Sequence, residues 1–244
     1  MSLPDFLADV QAYFAQRGEH GGFQVPGVPS MAVFHRPQVK SDSCAILEPL
    51  IGVILQGQKT AVSGTNRVDY GAGDVLIVGQ AMPTISSYVY VNPDVPFISA
   101  FVSLDMEILR SLYSDLDIGF DANDAVAPAL VAGPAGAKVI DAMARLFQLR
   151  HDPIEAQALG PATLREIYFW VLRSPHGRAL QQLIHLNSKA NQIAKALAHI
   201  RREYRSTIKA VDLAAIAGMT TSVFYETFKQ ITASSPLQYQ KDMR

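Results

Sequence analysis

The sequence predicts an α+β fold: a β-sandwich or barrel with flanking helices, followed by an all-helical segment. Three observations predict it. From about Met31 to Val102 the apolar and β-branched residues come in short runs separated by turn residues. On either side of that stretch they recur at the 3.6-residue spacing of helices. The charge also changes sign along the chain. Of a formal net charge of −1 over 244 residues, residues 187–244 carry nine basic and four acidic side chains, a net of +5 that leaves −6 for residues 1–186. A basic module attached to an acidic one is the pattern expected when only the former meets phosphate.

At the start of the chain, Leu3, Phe6, Leu7, Val10, Tyr13 and Phe14 share one face of a helix over residues 3–17. Residues Gly18 to Pro29, rich in glycine and proline, break that pattern. The runs MAVFH, LIGVIL, KTAVS, RVDY, DVLIV, SSYVYV and FISAFVSL then read as strands, with Gly64-Thr65-Asn66 and Gly71-Ala72-Gly73-Asp74 as turns between them. Seven or more short strands at this spacing make a sandwich or barrel. After them a short helix is expected over Asp105 to Tyr113, then a loop to about Pro134. Val139, Ile140, Met143, Leu146 and Phe147 mark one apolar stripe, and Leu164, Ile167, Tyr168, Val171 and Leu172 another, with Pro153 and Pro161 at helix beginnings. These two long helices can pack on the sheet or on each other. Ser174-Pro175-His176-Gly177 is the clearest local break, Gly177 to Leu186 reads as a short connecting helix, and a domain boundary is expected before Ser188.

Beyond it, Ile193, Leu197, Ile200 and Tyr204 form a helical stripe that also carries Lys195, Arg201 and Arg202. Residues 210–236 then read as two helices and a tight turn. Val211, Leu213, Ile216 and Ala217 mark the first helix and Phe224, Phe228 and Ile231 the second, here taken as 221–232. Gly218 can take the left-handed conformation that closes a helix, and the Thr220 hydroxyl can accept from the free amides that open the next. In a DNA-reading hairpin of this kind the second helix enters the major groove with its N-terminal, outward side chains against base edges. Those are Thr221, Ser222, Tyr225 and Glu226.

Leu213, Ala217, Gly218, Met219, Phe224, Phe228, Lys229 and Ser235-Pro236 resemble the first helix-turn-helix of AraC-type transcription regulators. Phe34-His35-Arg36-Pro37, Leu50 to Leu55, Gly57 with Lys59, Tyr70 to Asp74, Met82-Pro83, Asn92 to Pro96 and Leu104-Asp105 resemble the N-terminal domain of one subgroup of that family. The resemblance implies a cupin-like jelly-roll regulatory domain with a helical dimerisation and linker region over residues 1–186, and a DNA-binding domain from residue 187. It also implies a homodimer in the cytoplasm that binds a double-stranded DNA operator and a small-molecule effector, and it allows RNA polymerase as a partner. Family members normally carry two helix-turn-helix units joined by a long helix. The chain stops at Arg244, partway along what resembles that helix, so residues 187–244 are expected to hold the first unit only, and specific DNA binding by residues 1–244 is expected to be weak or undetectable. Base contacts would fall to Ser222, Tyr225 and Glu226, with Thr221 beside them, and phosphate contacts to Lys229, Arg201 and Arg202. Glu226 departs from the family pattern, in which arginine is frequent; a glutamate can accept from a cytosine amino group.

Other chemistry finds little support. A metal-dependent cupin enzyme needs three or four converging His and carboxylate ligands. The six histidines are His20, His35, His151, His176, His185 and His199; only His35 falls in an expected strand, and none forms a His-x-His pair. No metal and no cofactor is therefore expected. Gly71-Ala72-Gly73 and Gly133 to Lys138 lack the rest of a phosphate-loop pattern, no Gly-x-Ser-x-Gly elbow occurs, and Asp115 and Asp117 sit in a polar loop. The lone Cys44 cannot form an internal disulfide. No apolar run approaches the roughly 18 to 20 residues of a membrane span, and residues 1–17 lack a secretion leader. A barrel without metal ligands can enclose a small molecule, and His35, Tyr88, Tyr90 and Phe101 are its candidate lining. The alternative function is a metal-independent small-molecule-binding or enzymatic cupin whose helices are structural cover.

Overall fold

Helix α1 (Leu3–Arg17) begins with a capping box: the Ser2 hydroxyl accepts from the Asp5 amide, and the Asp5 carboxylate accepts from the Ser2 amide at 3.1 Å. The computed structural model describes residues 1–18, 21–37, 43–89, 92, 94–116, 126–184 and 188–243. Ten strands follow α1 in chain order: β1 (Gly21–Val25), β2 (Val28–Arg36), β3 (Ser43–Leu47), β4 (Leu50–Gln56), β5 (Gln58–Ser63), β6 (Asn66–Gly71), β7 (Asp74–Val78), β8 (Met82–Val89), β9 (Phe97–Ser103) and, after helix α2 (Met106–Leu116), β10 (Leu130–Pro134). They form two antiparallel sheets, one ordered β1-β2-β9-β4-β7-β10 and a smaller one ordered β3-β8-β5-β6. The class is mixed α and β, with two open sheets and helices.

Three strands escape the sequence pattern. Strand β1 lies inside the stretch read as a break, β10 inside the stretch read as a loop, and β3 between expected strands. Two of them, β1 and β10, are the outer strands of the larger sheet, where backbone pairing to one neighbour suffices and side-chain alternation is weak. Pro161 is a correction of another kind. It does not begin a helix but lies inside α4 (Pro153–Leu172), which starts at Pro153 because the Asp152 carboxylate caps the Ile154 amide at 2.8 Å. Pro161 sits on the exposed side of α4, where the carbonyl that loses its donor can be hydrated.

The larger sheet is buried on both faces, so its strands divide their side chains between two cores. Met31, Val33, Ile51, Val53, Ile77, Ile98 and Val102 join Phe6 and Val10 of α1, Met143 and Phe147 of α3 (Ala137–Gln148), and Ile167 and Tyr168 of α4. On the opposite face Ile54, Leu76, Val78 and Phe97 meet Ala61, Tyr70 and Met82 of the smaller sheet. That second core continues into the C-terminal helices through Ile193, Leu197, Leu213, Phe224, Phe228 and Tyr239. These helices, after the short α5 (Arg178–Ile184), are α6 (Lys189–Glu203), α7 (Ala210–Ala217), α8 (Thr221–Thr232) and α9 (Pro236–Asp242).

Polar contacts reinforce the join between sheets and helices. The Thr65 amide donates to the Ala233 carbonyl at 2.9 Å, the Ala129 amide to the Ile231 carbonyl at 3.1 Å, and the Tyr239 hydroxyl to the Ala81 carbonyl. Gly64 makes the first contact feasible. Its φ is +57°, and a β-carbon there would lie 2.1 Å from the Ala233 oxygen.

Candidate functional site

Helices α7 and α8 are set by the local chemistry expected of them. Gly218, at φ 65°, closes α7 by donating its amide to the carbonyls of Ala214 and Ala215, and the Thr220 hydroxyl accepts from the Val223 amide at 3.4 Å to open α8. Phe224, Thr227, Phe228, Ile231 and Thr232 point α8 into the second core. Thr221, Ser222, Tyr225, Glu226 and Lys229 are all exposed on the other side of the helix, as a helix buried on one stripe requires. Arg201 and Arg202, at the C-terminal end of α6, are engaged within the chain. Arg201 pairs with Glu48 at 2.8 Å, and Arg202 with Glu203 at 3.1 Å while also contacting the His199 ring at 3.2 Å.

Of the pocket candidates, Tyr88 is half-buried and packs against the second core, while Phe101 is half-buried on the same face of β9 as Phe97 and belongs to neither core cluster. Tyr90, like His20, His185 and Asp117, lies outside the described residues, as does the side chain of Cys44. His35 is not placed between the sheets. On β2 it shares the face of Met31 and Val33, under α1, and its ring centre lies 4.9 Å from that of Phe14. The reason is the two-residue period of a strand: Phe34 and Arg36 take the intersheet face, so His35 between them takes the other.

Around Tyr88, four intersheet residues outside the predicted lining, Arg36, Lys59, Tyr70 and Phe97, form a tight group with Phe34. On the smaller sheet, Tyr70, Lys59 and Tyr88 are cross-strand partners in one row across β6, β5 and β8. On the larger sheet, Arg36 and Phe97 are partners on β2 and β9, with Phe34 beside them. The Lys59 ammonium lies 4.9 Å from the centre of the Tyr88 ring and 5.8 Å from that of Phe97. The Arg36 guanidinium lies 5.2 Å from Phe34 and 5.8 Å from Tyr88. Tyr88 and Phe97 meet edge to face at 5.2 Å. Burial, and then the charge of Arg36, push the Lys59 ammonium down to about 8. Burial, with Tyr88 second, pushes the Tyr70 hydroxyl well above its usual range.

A cleft lies elsewhere on the molecule. It has a volume of about 980 Å³ and separates the outer face of the smaller sheet from α8 and α9, with Ile46, Val62 and Ile85 on one side and Lys229, Ser235 and Gln238 on the other. Among the described residues no three His, Cys, Asp or Glu side chains converge as metal ligands. No helix among them is long and apolar enough to cross a membrane.

A family model, described as the AraC-type transcriptional regulator N-terminus, matches residues 27–179. No curated protein matches the chain. Among solved structures, ToxT from Vibrio cholerae O395, bound to (E)-4-(8-methylnaphthalen-1-yl)but-3-enoic acid, is similar over 88% of this chain and 100% of its own, at 11% identity and a TM-score of 0.43. Wild-type ToxT from Vibrio cholerae strain SCE256, bound to an unsaturated fatty acid, is similar over 86% of this chain and 94% of its own, at 10% identity and a TM-score of 0.42. The AraC-like transcriptional activator CuxR is similar over 90% of this chain and 76% of its own, at 12% identity and a TM-score of 0.38.

Proposed function

The chain belongs to the AraC-type transcriptional regulators, and from that premise we propose that it reads duplex DNA with α8 and senses a small molecule between its sheets. Membership points to a regulator rather than an enzyme. In this reading the two sheets are a cupin-like jelly roll, residues 1–186 are the regulatory domain, and residues 187–244 are a DNA-binding domain carrying a helix-turn-helix. The observation that carries the DNA-binding half is the division of α8. One stripe is locked into the core by Phe224 and Phe228, and the opposite stripe holds exposed Thr221, Ser222, Tyr225, Glu226 and Lys229. Ser222, Tyr225 and Glu226 read base edges, while Lys229, Arg201 and Arg202 contact phosphates. Exposed Ile154 and Leu159 on α4, at 78% and 51%, support a homodimer through that helix. The setting is the cytoplasm, with RNA polymerase as a further partner.

The test is selection of duplexes from a random pool by residues 1–244 at low salt, followed by titration of the selected sequence. A preference for particular base pairs is expected, with affinity that falls steeply as salt rises. Tyr225→Ala should weaken the selected duplex by about tenfold and relax one position, since a base contact is worth about 1–3 kcal/mol. Arg202→Gln should weaken all duplexes alike and lower the salt slope by about one. Binding without sequence preference, unaffected by Tyr225→Ala, overturns the assignment of α8.

A further inference from the structure

A fold that buries a cation for its own stability supplies the anion as well, and around Lys59 the described residues supply none. The groups that face Lys59 are Arg36 from β2, Tyr70 from β6, Tyr88 from β8 and Phe97 from β9: a second cation, two phenols and a phenyl ring. The acid nearest in sequence to this row, Asp69, alternates onto the opposite face of β6 from Tyr70, where the Thr60 hydroxyl and Arg67 bind it. Among the described residues, neither Lys59 nor Arg36 forms an ion pair, and the Tyr70 hydroxyl has no hydrogen-bond partner. Two like charges held this close in a half-buried aromatic box cost stability in every state but one, that in which an anion lies between them.

We propose that Arg36 and Lys59 form the carboxylate-binding end of the effector site, which takes a small planar monocarboxylate with an aromatic or unsaturated body. The inference rests on the effector-sensing reading above and names the class of ligand. The carboxylate accepts from the Lys59 ammonium and from the Arg36 guanidinium, whose fork matches a carboxylate. The Tyr70 hydroxyl is a further donor. The flat body lies against Tyr88, Phe97 and Phe34, which already contact one another at the steep angles that aromatic rings favour. Binding favours protonated Lys59, so affinity must fall as pH rises through the range in which the empty site releases that proton.

The test is calorimetric titration of the chain with benzoate, cinnamate and phenylacetate as probes, and with benzyl alcohol as the uncharged counterpart. At least one carboxylate is expected to bind about tenfold or more tighter than benzyl alcohol at pH 7, the amount a charge-assisted contact commonly contributes. Its affinity is expected to fall by about tenfold between pH 7 and pH 9, since the Lys59 amine is then largely neutral in the empty site. Lys59→Gln should remove both the preference and the pH dependence, and Arg36→Gln the preference. Circular dichroism of each variant establishes that it is folded. If benzyl alcohol binds as well as the carboxylates, or Lys59→Gln leaves the preference intact, the anion assignment fails while effector sensing stands. If no carboxylate binds at millimolar concentration, the assignment fails as well. Loss of α8-dependent DNA selection is a separate readout and bears on the regulator reading instead.

Discussion

Arg150 and Lys59 are both cations set against aromatic rings, and the fold treats them in opposite ways. Arg150, in the short 3-10 turn after α3, is about one-tenth exposed and lies 3.9 Å from the centre of the Phe147 ring. Its guanidinium donates to both Asp9 oxygens, at 2.6 and 3.2 Å, and to the Phe147 carbonyl at 2.9 Å, while Gln148 donates to the same carboxylate at 2.6 Å. Every group brought out of water there is matched inside the chain. Lys59 has rings and a second cation, and no acid among the described residues. The contrast separates a cation that holds the structure together from one whose complement comes from outside.

The largest effect should come from breaking the complete site. Asp9→Asn leaves the Arg150 charge buried with no counter-charge and is expected to cost about 3 kcal/mol, in the range measured when one member of a buried pair is removed. A chain of this size should then melt roughly 6–12 °C lower. Thermal or urea unfolding measures it, and a loss below about 1 kcal/mol would mean that Arg150 is no better matched than Lys59.

The incomplete site should respond with the opposite sign. Lys59→Met removes an uncompensated charge and keeps the apolar stem, so without ligand it should be neutral or stabilising by about 1 kcal/mol at pH 7. The pH dependence follows from the direction of the shift. In the folded chain Lys59 releases its proton near pH 8, against 10.5 for the free side chain. Between those values the unfolded chain holds more protons, so the wild type gains stability as pH rises through that window and pays a constant cost below it. Unfolding curves at pH 7 and pH 10 should therefore show the advantage of Lys59→Met shrinking at the higher pH. An advantage that stays constant would show that Lys59 is not desolvated.

These two sites also mark what the sequence made legible. The 3.6-residue stripes placed α1 at 3–17 and α8 at 221–232, because each helix buries one face and exposes the other. Strand phase was harder to read. In the larger sheet both faces are covered, so Phe34, His35 and Arg36 offer no polarity contrast, and nothing local shows that His35, a candidate for the pocket lining, faces α1 instead. Lys59 was invisible as a site for a related reason. In QKTAVS it looks like an ordinary solvated lysine, and its burial arises only when β8 and β9 bring Tyr88 and Phe97 against it. The Asp9–Arg150 pair spans 141 residues, a distance over which no local pattern carries information.

A third cation completes the series and gives the smallest effect. Arg201 pairs with Glu48 at 2.8 Å, but the two side chains are 41% and 57% exposed, so water and salt already screen both charges. A double-mutant cycle of Glu48→Gln with Arg201→Gln should return a coupling of about 0.5 kcal/mol or less. Such a weak pair can be exchanged for a phosphate without loss of stability, which the Asp9–Arg150 pair cannot. Glu48→Gln should thus leave the unfolding curve almost unmoved while it removes a competing anion from Arg201 and strengthens DNA binding about two- to threefold at low salt. The gain should vanish in the Arg201→Gln background and fade as salt rises. A gain that survives Arg201→Gln would assign the effect to the general negative charge of the sheet region, and Arg201 would then drop out of the phosphate-contacting set.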